Sequence, residues 1–456
     1  MDSADNKNKE SKAYRKFTSR SDLGAWEVKT NRSVVEELIS MQESTRHKNL
    51  LPIRHERMSA SPFTFFRGAA IIQAHDLAAS PGTPFRVQAC GDAHISNFGI
   101  FASPERRVVF DINDFDETLP APFEVDIKRL VASIEICGRN RGFSKEDREE
   151  AVFQAAKFYH HSMTDFSGMG TIEVWYKHLD LESFMENDPH FSDEKQLKLM
   201  RSAIDKALAK NSERALRKLT ETVDGKIRIK SNPPLIVPIR DMIDEERTLY
   251  SFNHSIDKAL AAYEKTLPSE RRTLIDHYEP IELAHKVVGV GSVGLQAWMM
   301  IMLGRTKGDP LVMQIKQAEK SVLESYFGKS RYKNNGQRVV EGQRAIQTAG
   351  DILLGWLSLD NSDGVRRDYY VRQLWDAKGS FDLDTITVDG YKGLSSMCAW
   401  TLAHAHAKTG DRHAIAGYLG KGDAFESSMV RYAQAYADQN EADYEMFLKY
   451  CRKAES

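Results

Sequence analysis

At 456 residues and 51.7 kDa the chain is too long for one small module, and against roughly 100–200 residues per domain two or three lobes are expected. Lys and Arg number 63 against 65 Asp and Glu, a formal net charge of -2, which disfavours a basic coat for nucleic acid or anionic lipid. Hydrophobic residues make up 41%, with 21 Phe, 16 Tyr and 6 Trp, enough to fill a core and to exclude wholesale disorder.

Met1 to Arg20 carries six Lys/Arg and three Asp/Glu with no apolar run, so residues 1–30 read as a disordered, solvated tail rather than a secretory signal. Helical spacing follows at Ser33–Met41, and Pro62–Ala79 runs from three phenylalanines into a second helix before Pro81, Gly82 and Pro84 end it. Phe85–Ala89 and Arg107–Ile112 read as short strands flanking a loop that contains GDAHISNFG. Asp126–Cys137 is amphipathic, and Ser192–Val223 reads as a charged, helix-rich stretch. Asn232–Pro238 (NPPLIVP) reads as an irregular crossing. From Lys286 the character changes to β: VVGVGSVGLQAWMMIMLG and DPLVMQIKQA predict three successive strands. A helix at Arg338–Thr348, strands at Ile352–Leu357 and Asp368–Leu374, and helices at Leu394–Lys408 and Asp423–Leu448 complete the chain.

Cys90, Cys137, Cys398 and Cys451 have no CxxC spacing and fit neither a disulfide framework nor a structural zinc site. A reducing compartment, the cytoplasm, is therefore expected. The densest apolar run, Ala297–Leu303, is seven residues where a spanning helix needs about 20, so no membrane partner is expected.

The segment Cys90–Glu117 gathers Asp92, His94, Asn97, Asp111, Asp114 and Asp116 between two strands. So many oxygen ligands are unfavourable without a cation, and Mg²⁺ with phosphate is the natural guest. Asp92 and Asn97 are five positions apart, the separation of Asp and Asn in a kinase catalytic loop. In that chemistry the Asp accepts a hydroxyl proton, the Asn amide oxygen holds a metal, and a later Asp, here Asp114, bridges metal and phosphate.

GDAHISNFG, VVFDINDFDET and APFEVDIKRLVAS resemble the GDxHxxN, DF(D/G) and DPxxDLA run of aminoglycoside and choline phosphotransferases, members of the protein-kinase-like superfamily. A still closer resemblance, running over nearly the whole chain after the tail, is to an uncharacterised bacterial family, domain of unknown function 2252. It is carried by SPFTFFRGAA, GDAHISNFG, NDFDETLPAPFEVD, KVVGVGSVG, VEGQR, DYYVRQL and IAGYLG. The kinase resemblance implies Asp92 as catalytic base, Asn97 and Asp114 as metal ligands, and Asp126 as the aspartate that pins the catalytic loop. Cys90 stands where those kinases usually have His, and the longer spacing to DFD keeps Asp111, with Asp116, in the candidate metal set.

Gly289, Gly291 and Gly294, with Ser292 between, form a G-x-G-x-x-G, which alone can mark no more than a hairpin. Strand-like runs on both sides, and Lys316 on the next one, turn it into a candidate cradle for ATP phosphates. A kinase lysine needs a helical carboxylate partner, for which Glu341 fits best and Glu324 second. DYYVRQLWDAKG resembles a strand and hinge for adenine. Arg67 reads foremost as a snorkelling residue at a core-packed helix start and secondly as a phosphate or substrate contact. His404 and His406 evoke a dinuclear phosphoesterase, but i and i+2 on a helix point to different faces.

The expected fold is thus α/β (α+β): a bilobal, protein-kinase-like fold, circularly permuted. A helix-rich catalytic lobe would occupy residues 31–280, a β-rich nucleotide lobe 281–380, and C-terminal helices 381–456 would return to the catalytic lobe. The expected activity is ATP- and Mg²⁺-dependent phosphotransfer to a hydroxyl of a small-molecule acceptor. An AMP-transferring enzyme, a silent nucleotide-binding regulator and a metal-dependent phosphoesterase are the alternatives. If the lobes are permuted, Lys316 and Asp114 must face one triphosphate within about 10 Å.

Overall fold

The computed structural model describes residues 11–179, 212–242, 256–287, 293–306, 308–360, 364–374 and 379–455, with isolated positions between 181 and 209. Among the described residues no helix is long and apolar enough to cross a membrane. The stretch expected to be a free tail is docked from Ser11 onward. Arg15 Nε donates to Tyr418 O at 2.8 Å, and Arg20 Nη1 donates to Leu419 O and Lys421 O at 2.7 Å each. These arginines satisfy carbonyls that a helix C-terminus leaves without an intrahelical partner, and Leu23 is fully buried behind them.

Helices α1 (Val35–Glu43), α2 (Leu51–Met58), α3 (Pro62–Gly68) and α4 (Ala70–Ala78) lead up to the segment that bears Asp92. Ser61 starts α3 with a reciprocal capping box to Thr64, and Pro62 sits in the first turn, where its missing N–H is harmless. The segment itself is carried by β1 (Arg86–Ala89), β2 (Phe98–Ala102), β3 (Val108–Ile112) and β4 (Leu119–Pro122). The two strands expected to flank the loop do not pair with each other: β1 pairs with β4 and β2 with β3, both antiparallel. β2 is buried at every position, so it lacks the alternation that marks a half-exposed strand, and the prolines of β4 mask it.

Helices α5 (Phe123–Asn140) and α6 (Lys145–Gly168) pack behind these ribbons. The charged stretch then departs from expectation at its end. Thr220–Val223 is a strand, β5, paired with β6 (Lys226–Ile229) across Asp224-Gly225, both at positive φ, the Asp-Gly signature of a tight hairpin turn. Ile236–Pro238 is not an irregular crossing but β7, the edge of a six-stranded antiparallel sheet. The sheet continues with β8 (Tyr278–Lys286), β9 (Ala297–Gly304), β10 (Pro310–Ala318), β11 (Gly355–Asp360) and β12 (Arg366–Gln373), in the order β11-β12-β10-β9-β8-β7.

Period-two alternation places Met300, Met302, Leu311 and Met313 in one core and Met299, Ile301 and Val312 in another, on the opposite face. Both faces are covered, which accounts for the unbroken apolar run of β9. Helix α7 (Asn335–Ile346) lies against β10, β11 and β12. Three closing helices, α8 (Val388–Thr409), α9 (Arg412–Leu419) and α10 (Ala424–Glu455), pack on α5 and α6. The architecture is a mixed α/β one, with the sheet on one side of the Asp92 loop and the helices on the other.

Candidate functional site

The loop that bears Asp92 is fixed from below by Asp126, in the first turn of α5. Cys90 N–H donates to Asp126 Oδ2 at 2.7 Å and Gly91 N–H to Oδ1 at 2.9 Å. The carboxylate is fully buried, and His406 Nε2 lies 3.2 Å from Oδ2 while its Nδ1 meets the Tyr159 hydroxyl at 2.8 Å. Gly91 adopts φ +85, and a β-carbon there would stand 2.2 Å from Glu117 O, so the turn demands glycine. Ile95 N–H donates to Ser133 Oγ at 2.8 Å, a second tie to α5.

Asp92 faces away from these anchors. Arg129 Nε donates to its Oδ1 at 2.7 Å, and His94 Nε2 lies 3.8 Å from Oδ2, leaving that second oxygen without a close donor from either. Burial raises Asp92 above the ordinary carboxylate range, opposed mainly by Arg129. His94 is held neutral, first by burial and then by Arg67 and Arg129. The Asn97 amide donates to Asp92 O and Asp114 O at 3.0 Å each, so its oxygen is the atom left to face a cation.

The sheet meets this loop through β10. Lys316, with only 3% of its side chain exposed, lies 3.7 Å from Asp114 Oδ2 and bonds Asp116, from which it is 200 positions distant in sequence. Burial opposes the ammonium charge, yet Asp114 and Asp116 outweigh it and raise Lys316 above the usual lysine range. Burial would likewise raise Asp114, but Lys316 and Arg372 prevail and hold it ionised below the ordinary range. Asp116 Oδ1 is buried with no hydrogen-bond partner. Asp114, Asp116 and Asn97 thus present hard oxygen atoms to one space. They suit a Mg²⁺ ion that takes its remaining ligands from phosphate and water, and among the described residues no three His, Cys, Asp or Glu side chains form a cage of their own.

Several expectations need correction. The carboxylate partners of Lys316 come from the acidic segment and not from a helix. Glu341 pairs with Arg344 at 3.2 Å, and Glu324 accepts from Ser321 N and Ser330 N at 3.4 and 3.2 Å. Asp111 is not a metal ligand in this geometry, because its two oxygens accept the N–H groups of Ile112 and Thr348 at 2.8 Å each. His404 and His406, by contrast, stand as their i, i+2 spacing implies, satisfied on different faces: the first bonds Val174 O at 2.7 Å and the second Asp126. Gly289, Gly291 and Ser292 lie outside the described residues, as does the whole WDAK part of the expected hinge. Gly294 is described, and its turn is clasped by the chain after α1: His47 N–H donates to Gly294 O at 2.8 Å and Arg46 Nη1 to Val293 O at 2.5 Å.

Three arginines escaped the sequence reading. Arg338 on α7 donates to Thr118 O and Asp116 O at 2.8 Å and to Glu319 O at 2.7 Å, tying helix, acidic segment and sheet together. Arg372 on β12 donates to Asn113 O at 3.3 Å. Arg129 not only holds Asp92 but also donates to Phe66 O at 2.7 Å and stacks 3.7 Å above the Phe66 ring. Arg129 could have been found: it follows Asp126 by three positions on an amphipathic helix, so both reach the loop from one face.

Neither the curated proteins nor the solved structures contain a match to this chain. A family model described as "Uncharacterized protein conserved in bacteria (DUF2252)" matches residues 46–450. That span opens at Arg46, which clasps the glycine turn, and takes in the Asp92 loop, the acidic segment, Lys316 and the helices behind them; the chain belongs to this family of uncharacterised bacterial proteins.

Proposed function

We propose that the protein is an ATP- and Mg²⁺-dependent phosphotransferase that acts on a hydroxyl of a small-molecule acceptor. The observation that carries this reading is the meeting of Lys316 with Asp114 and Asp116 beside Asp92, side chains 200 positions apart in sequence brought into contact. Asp92 is the general base: Arg129 holds one oxygen, and the other takes the acceptor's proton. The acceptor oxygen then bonds the γ-phosphorus, the bond from that phosphorus to the β,γ-bridging oxygen breaks, and ADP leaves. Lys316 exchanges Asp116 for nucleotide phosphate, a point charge on a rigid strand. Asp114, Asn97 and Asp116 would hold Mg²⁺, which when bound neutralises charge on the phosphates. The four cysteines are free thiols, in keeping with a reducing cytoplasm.

The test is incubation with γ-labelled or α-labelled ATP and a pool of bacterial metabolites. Label from the γ position should reach an acceptor, and Asp92→Asn should abolish it. Transfer of α-label would replace the reading with AMP transfer. Binding of MgATP with no transfer of either label would make the protein a silent regulator.

A further inference from the structure

Beyond Asp92 the far half of one stripe of α5 remains without a task in the proposed reaction. Arg129, Ser133, Cys137 and Arg141 follow one another at steps of four, so they lie along one side of the helix. Arg129 holds Asp92 and Ser133 holds the loop. Cys137 and Arg141 continue the stripe away from the loop, Arg141 lying about 18 Å from Arg129 along the axis at 1.5 Å per residue.

Arg67, near the end of α3, faces the same stripe. Its charge is felt by Asp92, Cys137, Asp384 and His94, and Arg141 acts on the same Cys137 thiol. Burial pushes that thiol up to about 12, so it supplies no negative charge at neutral pH. The Nε atoms of Arg67 and Arg141 and Nδ1 of His94 are buried and have no hydrogen-bond partner. Asp92 already has a bond from Arg129, which leaves the exposed Asp384 as the carboxylate facing Arg67 on this stretch. Buried guanidinium donors left unmade are unfavourable unless a ligand completes them, and planar guanidinium forks match oxyanions.

We propose that this stripe, with Arg67 beside it, seats an acceptor carrying an anionic oxyacid group, phosphate, sulfate or carboxylate, in addition to the hydroxyl offered to Asp92, and that Arg67 is the principal contact to the anion. The part played by Asp92 rests on the phosphotransferase reading; the anion site does not. Arg67 is therefore more than a snorkelling residue: its guanidinium carbon lies 5.8 Å from the centre of the Phe63 ring, and its buried Nε is left for the anion.

Isothermal titration calorimetry of the full chain with inorganic phosphate tests this, with and without saturating MgADP. Phosphate should bind in both conditions, and Arg67→Gln should weaken it by about tenfold or more with MgADP affinity unchanged. Arg141→Gln, at the solvent end of α5, should weaken it less and provides a second variant should Arg67→Gln misfold. No binding of phosphate to the parent, unchanged affinity in the folded variants, or binding abolished by MgADP would overturn the proposal. The last result would assign the anion to the nucleotide's own phosphates. Failure of MgADP to bind would instead overturn the phosphotransferase reading and leave the phosphate titration interpretable.

Discussion

Asp92 and Asp126 serve the same loop by opposite means. Asp126 gives both oxygens to backbone N–H groups and a buried histidine, whereas Asp92 gives one oxygen to Arg129 and has His94 3.8 Å from the other. Asp92→Asn should therefore melt like the parent while losing about 10²–10⁴-fold in turnover, read by steady-state kinetics. Asp126→Ala strands two buried donors and should cost about 3 kcal/mol in a urea titration. Glu117, next to the acidic run, behaves differently again. Burial raises it to about 7, with Asp116 and Asp92 adding to the rise and Val322 N–H and Arg338 opposing it. The folded chain then binds a proton that the unfolded chain has released above its ordinary value of 4.5. That contribution is complete below this value and lost as pH rises through about 7. Glu117→Gln keeps an acceptor for Val322 N–H but cannot ionise. Its stability relative to the parent should thus climb between pH 4.5 and about 7, measured by denaturation along a pH series.

Among the elements, α7 shows where sequence legibility ended. Its existence and its place between strands were readable from the spacing of Arg338–Thr348, but its rotation was not. Arg338 and Gly342, four apart, face the acidic segment, where a β-carbon on Gly342 would stand 2.4 Å from Thr118 Cγ2. Glu341 therefore points elsewhere and pairs with Arg344. A motif gives residue order and not helix phase, which is why Glu341 was assigned to Lys316. The motifs single out Asp92, Asn97, Asp114 and Lys316, which the structure brings together, because loop spacing and strand alternation are local. They missed β2 and β4, whose burial and prolines hide the strand period, and Arg338, whose acceptors are backbone carbonyls with no sequence signature. Two substitutions on α7 should accordingly differ. Arg338→Ala removes the donor to three carbonyls and should cost about 3 kcal/mol, whereas Glu341→Gln, which loses a half-exposed pair, should stay within about 0.5 kcal/mol in the same denaturation assay.

Across the whole molecule, the contact of Lys316 with Asp114 and Asp116 joins a sheet late in the chain to a segment nearer its start, an order that only the sequence positions of the motifs announced. Because acidic groups crowd there around one lysine, MgATP should stabilise the fold by roughly 2.7 kcal/mol at a hundred times its dissociation constant. EDTA should cancel the gain in a thermal melt, and an unmoved melting temperature would count against nucleotide binding. The buried His406–Asp126 contact has a further consequence, in time rather than in space. A ribosome adds about 5–20 residues per second, and His406 follows Asp92 by about 300 positions, so the loop waits on the order of 15 s to a minute for the helix that seals it. During synthesis the Asp92 loop is made early and completed late. The nascent chain passes through an interval in which the Asp92 loop exists without its foundation, and that foundation is complete only when the last helices close.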